Sequence, residues 1–184
     1  SVPIVADECY LELGWSAQPV SILHPSVVGN SPAGVLAVHS LSKRSNLAGY
    51  RAGLIVGDPA LIHTVWNVRR HSGLLVPDPI QAAMAAAYRD DTHVAEQRER
   101  YRARREQLAA ALCDAAFRID HSEAGLYLWT TRHTDSMSTV DWFAERGILV
   151  APGTFYGPGG GQHVRIALTA TDERVASAVR RLAG

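Results

Sequence analysis

The sequence predicts an α/β protein, and three features predict it. Short apolar runs bounded by Pro, Gly and Asn signals recur along its 184 residues, as buried strands do. Segments with apolar residues at helical spacing stand between and after them. Polar side chains collect where the apolar runs end, which is where open α/β sheets hold their ligands.

The order of elements follows from these signals. Residues 1–6 read as a strand, closing on Asp7-Glu8-Cys9-Tyr10. Residues 11–32 are rich in Pro, Ser, Gly and Asn and read as irregular. Gly34 to His39 is a second strand, and Ala52 to Gly57 a third, closed by Asp58-Pro59. A helix is expected from Pro59 to Arg70, with Arg69, Arg70 and His71 at the negative pole of its C-terminus and Gly73 as its stop. An Ala- and Arg-rich helical stretch runs from Ile80 to Ala116, with a break expected near Asp90-Asp91. Its inward face is Ala83, Ala87, Val94, Tyr101, Leu108 and Leu112. Shorter units follow: strands at 117–120, 126–130, 148–151 and 163–168, a helix from Ser138 to Arg146 stopped by Gly147, and a last helix opened by Thr171-Asp172-Glu173. The Gly-rich segment 152–161 reads as a mobile loop. It lacks the lysine and hydroxyl of a Walker loop and the strand-turn-helix context of a dinucleotide fingerprint.

Composition narrows the function. Formal net charge is zero, and no unbroken basic block suggests a nucleic acid or membrane surface as partner. No apolar run reaches the length of a membrane span. Cys9 and Cys113 are too few for a disulfide framework and fit a cytoplasmic setting. The eight histidines form no HxH or HxxxH pair, so no metal site is expected.

One residue type carries the chemistry. Of the 18 basic residues 17 are arginine, and Lys43 is the single lysine. Arginine can replace lysine wherever a positive charge suffices, but its guanidinium stays protonated. Only lysine can lose a proton and form a Schiff base with a carbonyl compound. Lys43 follows an apolar strand and two hydroxyls, Ser40 and Ser42, and precedes Arg51 framed by Gly49 and Gly53. Hydroxyls, an amine and an arginine at a strand end describe a site for a phosphorylated carbonyl compound. Arg165, inside the apolar run His163 to Leu168, asks for an anionic partner.

Asp7 three residues before Tyr10, then Ser40-Leu41-Ser42-Lys43, then Arg51 eight residues after the lysine, resemble in order and spacing the cofactor signature of the fold-type I class I and II aminotransferases. That resemblance extends over nearly the whole chain. It implies pyridoxal 5'-phosphate as cofactor, amino acids and keto acids as substrates, and a homodimer. It implies the C-terminal part of the family's large domain, with a mixed, mostly parallel sheet, over residues 1–104, ending in a bridging helix, and a small α/β C-terminal domain over residues 105–184.

By the same resemblance Lys43 carries the cofactor and moves the proton. Asp7 meets the pyridine nitrogen and keeps it protonated, and Tyr10 meets the ring oxygen. Ser40, Ser42 and Arg51 hold the phosphate, and Arg165 takes the substrate α-carboxylate. The segments 8–15, 42–51 and 147–153 are similar to N-succinyldiaminopimelate aminotransferases of the actinobacterial type, which act with glutamate as donor in the diaminopimelate and lysine pathway.

The family's first half lies outside these 184 residues: its phosphate loop, the aromatic ring that stacks on the cofactor, an asparagine, and a tyrosine lent across the dimer. The chain opens within a strand and without an initiator methionine, so an upstream segment of the same gene is expected to supply them. Residues 1–184 alone are expected to be inactive. Two other functions share the residues: a lyase or synthase of the same fold, and a non-catalytic cofactor-binding regulatory module. The absence of a helix-turn-helix or basic arm from these residues weighs against the last.

Overall fold

The three apolar runs read as strands in the first sixty residues each form a strand. The computed structural model describes residues 2–184, and Cα packing divides the chain into two compact units, residues 1–14 with 18–97 and residues 15–17 with 98–184. The expected first strand, 1–6, is β1 (Ile4–Asp7), so Asp7 is its last residue and not its successor; Ser1 lies outside the described residues. β2 (Val35–Ser40) and β3 (Gly53–Gly57) complete a sheet of order β1-β2-β3. β1 runs parallel to β2, with Asp7 opposite Val38. β3 runs antiparallel to β2, with Ser40 opposite Gly53. The ends of β1 and β2 and the start of β3 therefore share one end of the sheet. Gly53 is required there, because a Cβ at this position would sit 2.6 Å from the carbonyl oxygen of His39.

Around this sheet, residues 11–32 include a single turn, α1 (Pro25–Val28), that the sequence did not predict; the Nδ1 of His24 accepts the Ser26 N–H and caps it. Another one-turn helix, α2 (Leu41–Arg44), follows β2 directly, with Ser40 as its N-cap. α3 (Pro59–His71) starts on Asp58, whose carboxylate accepts from Ala60 N–H at 2.8 Å and from Gly34 N–H at 2.7 Å. It stops at Gly73, φ 67°, as expected. The long helical stretch breaks at residues 90–91 into α4 (Asp78–Arg89) and α5 (Thr92–Asp114). Residues 92–97 of α5 belong to the first unit and 98–114 to the second.

In the second unit β4 (Arg118–Asp120), β5 (Tyr127–Thr131), β6 (Ala151–Pro152) and β7 (His163–Ala167) form a sheet of order β4-β5-β7-β6, antiparallel throughout. Period-two alternation sorts β5: Leu128 and Thr130 are fully buried, while Tyr127 and Trp129 take the other face. Leu128 joins Leu112, Phe143, Val164 and Leu168 in a core closed to solvent. α6 (Ser136–Glu145) starts two residues before the expected Ser138, because Asp135 caps it by accepting from Met137 N–H at 2.9 Å. α7 (Asp172–Leu182) starts on its Thr171 cap.

Two expectations are corrected here. The strand expected at 148–151 shrinks to Ala151–Pro152. Ile148 donates its N–H to Phe143 O at 2.9 Å, closing the C-terminus of α6 behind Gly147 at φ 64°, and Leu149 projects into solvent. A residue that serves a helix cap cannot also serve a ladder. The Gly-rich segment 152–161 is no loose loop: it forms two 3-10 turns, Gly153–Tyr156 and Pro158–Gly160. The backbones of Gly153 and Gly160 meet so closely that a Cβ on either would run into the other's carbonyl oxygen. No helix among the described residues is long and apolar enough to cross a membrane.

Candidate active site

The expected site residues fall into two groups, one per unit. In the first unit the topology brings Asp7, Tyr10, Ser40, Ser42, Lys43 and Arg51 to the same end of the sheet. Asp7 ends β1, and its Oδ1 accepts the Cys9 N–H at 3.1 Å. Hydrogen bonding from Cys9 holds the Asp7 carboxyl below its ordinary range. The Cys9 thiol is itself pushed up to about 11, first by burial and then by Asp7. Asp7 is thus an exposed, firmly anionic carboxylate. Tyr10 follows in the next turn, which the Leu13 N–H closes on Tyr10 O at 2.9 Å.

Ser40 has two tasks: as the last residue of β2 it pairs with Gly53, and as the cap of α2 its Oγ accepts the Ser42 N–H at 3.1 Å. Its own hydroxyl proton stays available to an acceptor. Lys43 lies half-buried in α2 with Nζ 6.0 Å from the centre of the Tyr10 ring. Arg51 sits just before β3 in a left-handed conformation, φ 51°, ψ 42°, with Nη1 donating to Ala48 O at 3.0 Å. A non-glycine residue held there stores of order 1 kcal/mol of strain, a cost that clusters at ligand clamps.

In the second unit Arg165 occupies the centre of β7, opposite Trp129 on one side and Ala151 on the other. Its guanidinium carbon lies 4.1 Å from the centre of the Tyr127 ring and 4.8 Å from that of Tyr156. Its Nε is buried and has no hydrogen-bond partner among the described residues. The side chain borders a depression of about 410 Å³ shared with Tyr127, Trp129, Tyr156 and His121. A guanidinium stacked on two rings at the border of a depression has the planar, forked donor geometry that suits a carboxylate.

Sequence reasoning missed the walls of this depression. Tyr127 and Trp129 could have been found by alternation, since they share the face of β5 that meets Arg165. Tyr156 could not, because it arrives from a 3-10 turn. It also missed Arg44, buried beside Lys43, and the pair of Glu8 and His39, 3.5 Å apart behind Asp7.

The model of the family "Aminotransferase class I and II" matches residues 1–182. This chain belongs to that family. Class I and II aminotransferases use pyridoxal 5'-phosphate, and the first unit's residues fit it. The anionic Asp7, the Lys43 amine over the Tyr10 ring at 6.0 Å, and the Ser40 hydroxyl and Arg51 guanidinium at the same end of the sheet are of the chemical kinds that its pyridinium, carbonyl and phosphate would each require.

Among family members the chain is 61% identical over 181 residues to the probable aminotransferase Rv1178 of Mycobacterium tuberculosis, covering 98% of this chain and 43% of that protein. It is 59% identical over 179 residues to the 4-dedimethylamino-4-oxo-anhydrotetracycline transaminase OxyQ of Streptomyces rimosus, covering 97% and 50%. It is 29% identical over 189 residues to an LL-diaminopimelate aminotransferase of Dehalococcoides mccartyi, covering 100% and 48%. The solved structure of an aminotransferase from Staphylococcus aureus superposes with a TM-score of 0.84 at 30% identity, covering 98% of this chain and 48% of that one. The chain spans about half the length of the relatives it matches.

Proposed function

We propose that this chain is the lysine-bearing part of an aminotransferase that moves an amino group from glutamate to a keto acid. The observation that carries the reading is the Lys43 amine 6.0 Å from the Tyr10 ring, at the strand ends that also present Asp7 and Ser40. When bound, pyridoxal phosphate supplies an electron sink for the pair left as the substrate Cα–H bond breaks. The chain's own residues hold, orient and move protons. Lys43 would hold the cofactor at its carbonyl carbon until the substrate amine displaces it, and the freed amine would then carry the proton between the substrate α-carbon and the cofactor carbon. Asp7, kept anionic by Cys9, holds a proton on the ring nitrogen. Tyr10 donates to the ring oxygen. Ser40, Ser42 and Arg51 bind the phosphate, and Arg165 binds the α-carboxylate.

In this reading residues 1–104 belong to the cofactor domain and 105–184 to a smaller one. An upstream segment of the same gene supplies the rest of the site, and the protein works as a cytoplasmic homodimer. The acceptor is the succinylated amino-keto-pimelate of the diaminopimelate route to lysine; the wording of segments 8–15, 42–51 and 147–153 supports this. A second reading has its own support. A relative 59% identical is named for a fused-ring ketone acceptor, which makes a cyclic ketone the alternative class.

A panel of acceptors offered to the full-length protein with glutamate as donor separates the two. Transfer to the succinylated pimelate supports the first reading, and transfer to polycyclic ketones alone supports the second. Elimination products, or cofactor binding with no transfer to any acceptor, would point to a lyase or a regulatory module instead.

A further inference from the structure

The turn that carries Lys43 cannot hold itself. α2 is four residues long, and a single helical turn is unfavourable in isolation because nucleation fixes several dihedrals for one hydrogen bond. Packing must fix it, and two residues do so. Leu41 is buried, 1% exposed. Arg44, 8% exposed, places its guanidinium among partners from three other segments of the first unit. Its Nε pairs with Glu12 at 3.3 Å. Its Nη1 donates to Ala87 O at 2.9 Å and to Ser45 Oγ at 3.2 Å, and its Nη2 pairs with Asp91. Its guanidinium carbon lies 4.9 Å from the centre of the Tyr88 ring.

This arrangement links the two groups that matter. Glu12 stands two residues after Tyr10 in the turn that follows β1, and Arg44 stands one residue after Lys43. A single planar fork therefore ties the Tyr10 turn to the Lys43 turn and anchors both to the junction of α4 and α5. Successive helical positions point about 100° apart, so Arg44 can be buried while Lys43 faces the Tyr10 ring. An ammonium at position 44 could not bond in so many fixed directions.

We propose that Arg44 is a positioning residue: through Glu12 and Asp91 it sets the separation of Lys43 and Tyr10, and so the pose in which the two meet the cofactor. This rests on the reading that Lys43 carries pyridoxal phosphate.

The test uses full-length, cofactor-loaded protein with Arg44→Met and Glu12→Gln, singly and together. Visible circular dichroism per bound cofactor reports the cofactor's pose. The expected result is a weakened band in both single variants, with kcat lowered about tenfold and KM within about twofold. The double variant should lose less than the sum of the two, because both substitutions break one link. Glu12→Gln leaves the guanidinium paired with Asp91, so it carries the test if Arg44→Met does not fold. A lowered melting temperature with an unchanged band and unchanged kcat per bound cofactor would make Arg44 a purely structural ion pair and overturn the proposal. If the parent protein forms no reducible link at Lys43, the functional reading fails and takes the proposal with it. If the parent links normally and the variants match it, only the proposal fails.

Discussion

The imidazole of His163 lies flat on the indole of Trp129, ring centres 4.9 Å apart and planes 4° from parallel, and its Nε2 is 3.0 Å from Oδ2 of Asp120. Asp120 in turn takes both arms of Arg118, at 2.8 and 2.9 Å. A carboxylate on the edge strand β4 thus orients the imidazole that backs a wall of the Arg165 depression.

Arg118, and after it His163, hold the Asp120 carboxyl well below its ordinary range. A group whose folded pKa is depressed stabilises the fold above its unfolded pKa and loses that contribution as pH falls through the folded value. Asp120→Asn is therefore expected to lower the melting temperature at neutral pH. The gap from the parent should narrow progressively once pH drops below about 4. Thermal melts across that range check it, and a gap independent of pH would exclude the ion pairs as its source.

Arg165→Ala should weaken α-amino acid binding by roughly 2 to 5 kcal/mol, as when one member of a desolvated charge pair is truncated. Cofactor absorbance should hardly change. Arg165→Lys should recover little, because an ammonium cannot stack on Tyr127 and Tyr156 while reaching a carboxylate in the forked geometry. Amino-donor titrations check this; an equal loss towards amines that lack a carboxylate would make Arg165 structural.

Gly160→Ala should destabilise the protein by roughly 1 to 3 kcal/mol, since its Cβ would meet the carbonyl oxygen of Gly153. Gly159→Ala is the control, because a Cβ there meets nothing within 4 Å. Denaturant melts of the two variants should separate; equal midpoints would mean that the turn relaxes freely.

Lys43 was legible because a process that left 17 arginines and one lysine leaves a chemical exception in plain view. Strands β1, β2 and β3 were legible because each is a short apolar run closed by turn or polar residues. Residues 148–150 are as apolar as any of them, yet only the cap of α6 decides that Ile148 serves a helix, and capping competes with hydrophobicity in a way that no local run displays. Tyr156 and Arg44 were hidden for a different reason. Their partners are Arg165 for the one, and Glu12 and Asp91 for the other; such pairings depend on tertiary folding, which periodicity does not encode. Arg44 in sequence is one more arginine beside the lysine.

The most direct test of the account is borohydride trapping of pyridoxal phosphate on the full-length protein, followed by peptide mapping, in the parent and in Lys43→Arg. The account predicts one labelled peptide, containing Lys43, in the parent, and neither label nor transamination in the variant, although charge is preserved. Label on another residue, or undiminished turnover in Lys43→Arg, would contradict it.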